Sequence, residues 1–286
     1  MVTLADIKAD RRIGTLIDSA NAALAAIGYT DHGPRHVGYV SKVTSDILRR
    51  LGYPERTCEL GAVAGWVHDV GNLVNRKNHG AIGATLLFPI LSDMGMDLTE
   101  VCRVCTAVGS HEEETGRPVS EISAALIIAD KIDAHRTRVR KGQHDEKDIH
   151  DRVNYAIQKT KLYVDPETSN IRFEFTMDET SSVLEFMQIY MTRMIICEKA
   201  SAFLNCSFSM VVNGMQINNF CDGAPKCVTD APAGSAIVHE WTVGTLRTPR
   251  PLRPRTGHAP GTVARVYRWN EHAKSAGAAS GIRRNG

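Results

Sequence analysis

The chain has 286 residues, 43% hydrophobic and 23% charged, with a formal net charge of +2. That composition is ordinary for a globular protein, and the length suits one large domain or one domain with an appendage. The seven cysteines are an odd number that points to reduced thiols, no stretch reaches the roughly 18 apolar residues of a membrane span, and MVTLADIKADRRIG lacks the apolar run of a signal peptide, so a cytoplasmic location is expected.

The first two-thirds reads as helices. ADIKADRRIGTLIDSANAALAAIG carries Ile13, Leu16, Ile17, Ala20, Leu24 and Ile27 at helical spacing, and Gly28 ends it. HVGYVSKVTSDILRRLG aligns Val37, Val40, Val43, Ile47, Leu48 and Leu51 on one face. Pro54 opens PERTCELGAVAGWVHDVG. HGAIGATLLFPILSDMG, DLTEVCRVCTAVGSHEEE and PVSEISAALIIADKIDAH complete the run. Cys102 and Cys105 form a CxxC with no second pair after it, so they read as two small helical residues, one of them buried.

Beyond about residue 145 the pattern changes. DEKDIHDRVNYAIQK predicts one more amphipathic helix. KLYVD and NIRFEFTMD alternate apolar and polar residues around PETSN, as a β-hairpin does. SSVLEFMQIYMTRMIICEKASAFLN predicts a long helix, and CSFSMVVNGMQI a third strand. From residue 220 onward Gly, Ala, Pro, Arg and Thr dominate, with ten Lys/Arg against four Asp/Glu. A segment of that kind buries too little to offset its ordering entropy. The expected fold is mainly α: a helical bundle over 1–145, a small α+β appendage over 146–219, and a disordered basic tail over 220–286.

The chemistry starts from burial. The segment from Leu60 to Val67 is apolar nearly all round and runs directly into His68 and Asp69. Asp130 follows Ala124 to Ala129 in the same way. Buried ions without partners cost several kcal/mol, so these groups need a shared cation, a salt bridge or a proton. A divalent metal answers all three needs. His36 and His79 stand at helix starts and His111 near a helix end, and helix ends on one side of a bundle can converge.

The ordered set His36, His68-Asp69, His79, His111 and Asp130 resembles the HD superfamily of metal-dependent phosphohydrolases. GPRHVGYVSKV is similar to the family's first helix, GWVHDVGN to its central motif and SAALIIADKID to its closing Asp motif. The resemblance covers about residues 30 to 140. It implies two divalent ions, with Fe, Mn, Zn, Co and Ni all compatible. His36, His68, Asp69 and Asp130 would hold the first, His79 and His111 the second, and Asp69 would bridge them. It further implies hydrolysis of a phosphate ester or anhydride in a nucleotide-like substrate by a hydroxide bridging the two ions.

The subgroup reading lies between two branches. Cyclic-dinucleotide phosphodiesterases of the HD-GYP type usually carry a second histidine where Ser110 stands, a Lys where Asn72 stands, and a GYP triplet that is missing here. HEEETGRPVSEISAALIIADKID looks closer to small HD hydrolases that split dinucleoside polyphosphates symmetrically. Asp69, Lys131 and Asp133 are the catalytic candidates, and Arg76, Lys77 and Arg136 the candidates for substrate phosphates. Glu112 to Glu114 reads as an exposed helix end, and the arginines beyond Arg136 as solvated. The expected partner is a small phosphorylated or nucleotide substrate, with no membrane and no nucleic-acid partner, and with a homodimer left open. The alternatives are a mixed-valent di-iron oxygenase of the same superfamily and a regulatory module without activity.

Overall fold

Asp10 divides the first predicted helix in two. Its carboxylate accepts the backbone N–H groups of Arg12 and Ile13, which ends α1 (Leu4–Ala9) and starts α2 (Arg11–Ala26). The structure is a computed structural model that describes residues 1–140 and 146–218 and the backbone of 236–242. Next come α3 (Pro34–Arg50) and α4 (Glu55–Val67), a 3-10 turn (Val70–Leu73), α5 (His79–Asp93), α6 (Leu98–Gly109) and α7 (Glu121–Ile132). On α6, Cys102 is exposed and Cys105 buried.

α3 and α4 approach closely because Gly65 has no side chain. A Cβ there would lie 2.6 Å from Ser41 Cα, and Ser41 Oγ donates to the carbonyl of Ala62 at 2.7 Å. α7 is the central helix: every residue from Ile122 to Ala129 is fully buried. It packs against α3, α4, α6 and α9, which explains a sequence apolar on all sides.

A second 3-10 turn (Arg136–Arg138) leads to α8 (Ile149–Ala156), β1 (Ile157–Asp165), β2 (Asn170–Met177), α9 (Val183–Phe203), β3 (Ser207–Val212), β4 (Met215–Gln216) and β5 (Ala236–Thr242). α8 is shorter than the predicted helix, because Ile157 already pairs with Met177 across the β1–β2 ladder. β2 and β3 are parallel, with α9 as the crossover, and the sheet order among the described residues is β4-β3-β2-β1-β5. Asn213 and Gly214, both at positive φ, make the tight turn between β3 and β4. Phe186 and Tyr190 of α9 stack at 4.4 Å and press on Phe175 of β2. The helical and α+β parts share one buried apolar core.

The expectation of a tail without structure from residue 220 is corrected at β5, which pairs antiparallel with β1 from Lys159↔Thr242 to Val164↔Ala236. AIVHEWT is β-branched and aromatic, and β1 has a ladder edge to receive it. Its composition was masked by the Gly- and Pro-rich residues around it. The rest of the predicted tail, 219–235 and 243–286, lies outside the described residues. Among the described residues no helix is long and apolar enough to cross a membrane.

Candidate metal centre

Each predicted ligand sits where a helix starts or stops. His36 is in the first turn of α3, after Pro34. His68 is the residue at which α4 ends, and Asp69 opens the 3-10 turn. His79 begins α5 behind Asn78, whose φ of 61° is the left-handed conformation that Asn tolerates. His111 lies just past the end of α6, and Asp130 is in the last turn of α7. His36, His68 and His111 are fully buried, and Asp69 and His79 nearly so.

These six side chains meet. His36 Nε2 lies 3.2 Å from His68 Nε2, 3.5 Å from Asp69 Oδ2 and 3.4 Å from Asp130 Oδ1. His68 Nε2 lies 3.3 Å from Asp69 Oδ2 and 3.7 Å from Asp130 Oδ1. On the other side, His79 Nε2 is 3.1 Å from His111 Nε2, and the two stand 3.3 and 3.9 Å from Asp69 Oδ1. Asp69 thus turns one oxygen to each group.

The other nitrogen of every ring is occupied. Nδ1 donates to Asp133 Oδ2 in His36, to the Gly65 carbonyl in His68, to the Arg76 carbonyl in His79 and to the Val108 carbonyl in His111. In a neutral ring whose Nδ1 carries the proton, Nε2 presents a lone pair. Four lone pairs and the carboxylates of Asp69 and Asp130 therefore face one another in a buried space. Asp69 Oδ2 makes no hydrogen bond at all. Such a donor set repels itself unless protons or a metal cation join it, and imidazole with carboxylate suits divalent transition metals. His36, His68 and Asp130 form one group of ligand atoms within 4.8 Å of one another, and His68, Asp69 and His111 form another, so the cluster could hold a metal ion.

Titration behaviour follows from the same field. Burial disfavours a charged His68, yet the carboxylates of Asp69 and Asp130 push its imidazole up to about 10. Burial also opposes ionisation of Asp69 and Asp130, but His68 beside the first and Lys131 beside the second hold both well below the ordinary carboxylate range. Burial and the neighbouring His79 and His68 push His111 well below its usual value.

The remaining sequence candidates separate. Asp133 acts behind His36: it accepts Nδ1–H, and its oxygens also take the Arg35 guanidinium at 2.9 and 3.3 Å. Lys131 is buried, touches Asp130 and lies 3.2 Å from Glu113 Oε1. Arg76 lines the cavity over the centre; it donates to Asn72 Oδ1 at 3.3 Å and lies over the Tyr29 ring. Lys77 lines a wider outer cavity. Arg136 is placed elsewhere, bonded to the Tyr155 carbonyl and Asp178 Oδ2, each at 2.7 Å.

Several residues near the centre were read otherwise from the sequence. Glu112 is buried rather than exposed; it accepts the Gly80 N–H at the start of α5 and touches His79 Nδ1. The reason is that α6 stops at Gly109 and the chain turns back, which sets a carboxylate on a helix N-terminus. Asn72 donates to Asp69 Oδ1 at 2.9 Å and so orients the shared carboxylate. Arg138 is buried, not solvated, because its guanidinium is held by the carbonyls of Asp31 and Asp133. His32, buried against the His36 ring, and Arg193 of α9 complete the inner wall. A signal for His32 was present in the sequence, four residues before His36; for Arg193 there was none.

Beside the cluster is an inner space of about 30 Å³, lined by His32, Arg76, Lys131, Arg138 and Arg193 together with Asp69 and Asp130. It shares His32, Arg76, Arg138 and Arg193 with an outer cavity of about 820 Å³, whose far wall includes Asp148, His150 and Asn154 of the α8 region.

No family model matches the chain, and no curated protein matches it. Among solved structures, a predicted HD superfamily hydrolase from an uncultured Thermotogales bacterium is similar, with 23% identity, a TM-score of 0.36, and coverage of 44% of this chain and 68% of that one.

Proposed function

We propose that the protein is a metal-dependent phosphohydrolase of the HD type, acting on a small phosphorylated, nucleotide-like molecule through two divalent ions. The observation that carries this reading is the convergence of four imidazole Nε2 atoms on the two oxygens of Asp69, with Oδ2 left without a hydrogen bond. A divalent pair in that position supplies water activation near neutral pH and polarisation of a phosphoryl oxygen.

The chain's own residues supply the rest. Asp133, Gly65, Arg76 and Val108 fix the four rings through Nδ1. Lys131 and the arginines of the inner wall offer donors to an anionic substrate where water is scarce. The outer cavity has the size of a small-molecule site, in the range of roughly 300–1,000 Å³.

The test is metal analysis of the purified protein followed by assay of the loaded protein on phosphomonoesters, cyclic dinucleotides and dinucleoside polyphosphates, with oxygen uptake followed in parallel. Phosphate release with about two ions per chain is the expected result. Oxygen consumption without phosphate release would overturn it in favour of the oxygenase, and no bound metal would overturn both.

A further inference from the structure

α9 belongs to the α+β half of the chain, outside the segment that carries the six ligands, yet it sends Arg193 into the inner space over the metal centre. The side chain is held from two sides. Its Nε lies 3.2 Å from Glu113 Oε1, and its guanidinium lies 4.7 Å from the centre of the Tyr190 ring. Tyr190 is itself fully buried and stacked on Phe186, so it is a rigid floor. Glu113 also takes Lys131, at 3.2 Å from the same oxygen. One carboxylate oxygen therefore sets two cations side by side at the rim of the centre.

We propose that Arg193 is a substrate-binding residue: with Lys131 and Arg76 it forms an oxyanion clamp for the phosphoryl group presented to the centre, and Glu113 preorganises it. A guanidinium fixed through Nε can turn terminal N–H groups toward an acceptor, and the planar fork of such groups recognises tetrahedral oxyanions. It follows that the α+β half is a working part of the site and not an appendage to it. The proposal rests on the phosphohydrolase reading for the identity of the substrate, but the anion site itself can be measured without turnover.

The experiment is calorimetric titration of the metal-loaded full chain with inorganic phosphate, for the wild type, Arg193→Lys and Arg193→Met. The methionine keeps an apolar stem over Tyr190 and removes the charge. The expected result is weaker phosphate binding in Arg193→Met by about tenfold to a hundredfold, as for loss of a charge-assisted hydrogen bond, and an intermediate value in Arg193→Lys. Metal content and melting temperature should stay at the wild-type level. With a substrate found by the panel above, KM should rise by a similar factor and kcat should change much less. Equal phosphate affinity in wild type and Arg193→Met, or no phosphate binding by the wild type, would overturn the proposal. Arg193-dependent phosphate binding without hydrolysis of any substrate would support the clamp while sinking the hydrolase reading.

Discussion

Asp69 Oδ1 lies 3.3 Å from His79 Nε2, although nine residues, including a 3-10 turn, lie between the two along the chain. The other oxygen of the same carboxylate lies 3.3 Å from His68 Nε2. Replacing Asp69 with Asn should therefore remove both ions together and abolish activity. On the proposed two-ion reading, His111→Ala should release the second ion and leave the first, because His111 pairs with His79 beside Asp69 Oδ1. Metal stoichiometry by mass spectrometry of the two variants decides this; two ions retained in Asp69→Asn would refute the shared role.

Gly71 makes the closeness of Asp69 and His79 sterically possible. A Cβ at that position would fall 1.9 Å from the His79 carbonyl oxygen and 2.6 Å from Gly83 N, both backbone atoms that cannot rotate away. Gly71→Ala should cost about 3 kcal/mol or more and displace the start of α5. Chemical denaturation and metal content should fall together. A variant of wild-type stability would show that the turn can yield.

Asp133 supports the centre from behind. Its side chain is 1% exposed and holds both His36 and Arg35. Asp133→Asn should lower metal affinity about 10–100-fold and destabilise the fold by about 3 kcal/mol, since the mostly buried Arg35 loses its main counter-ion. Competition with a chromogenic chelator gives the first quantity and urea unfolding the second.

The pH response has a contributor far from the centre. Glu185, in the capping box of α9, is held down to about 2 by hydrogen bonds from Ser181 and Arg152. A carboxylate with a lowered folded pKa contributes stability above its unfolded value near 4.5 and loses it as pH falls toward 2. Glu185→Gln should therefore be less stable than wild type at pH 7, and the two should converge between about pH 4.5 and 2. The gap should be modest because the group is exposed. Parallel unfolding curves with a constant difference across that range would exclude the linkage.

β5 separates two truncations. A chain ending at Leu246 keeps the β1–β5 ladder, whereas one ending at Phe220 lacks it. The shorter chain should melt lower by about 5 °C, on the scale of roughly 2 kcal/mol for a domain of this size. Equal melting temperatures would mean that the strand adds nothing.

The helical core, and the burial of the histidines and aspartates that come together in it, were legible in the sequence. An all-apolar helix that ends in His68 and Asp69, or in Asp130, states locally that ionisable groups are buried, and burial requires partners. Periodicity likewise announced α3, α7, α9 and the β1–β2 hairpin. Other features needed the third dimension. Glu112 and Arg138 read as solvated charges, and Arg136 as a candidate for substrate phosphates, because sequence spacing does not say toward which neighbour a loop turns. Arg193 carried no signal, since its helix reaches the centre only by packing on α7 across fifty intervening residues. β5 was concealed by its flanks and exists through a ladder edge supplied by β1. The amino-acid sequence by itself determined which helical stretches leave water, because that choice is made by local hydrophobic periodicity. Which of them face one another, and which cations stand over them, was decided only by tertiary packing, because contacts between distant segments depend on how whole helices and strands cross.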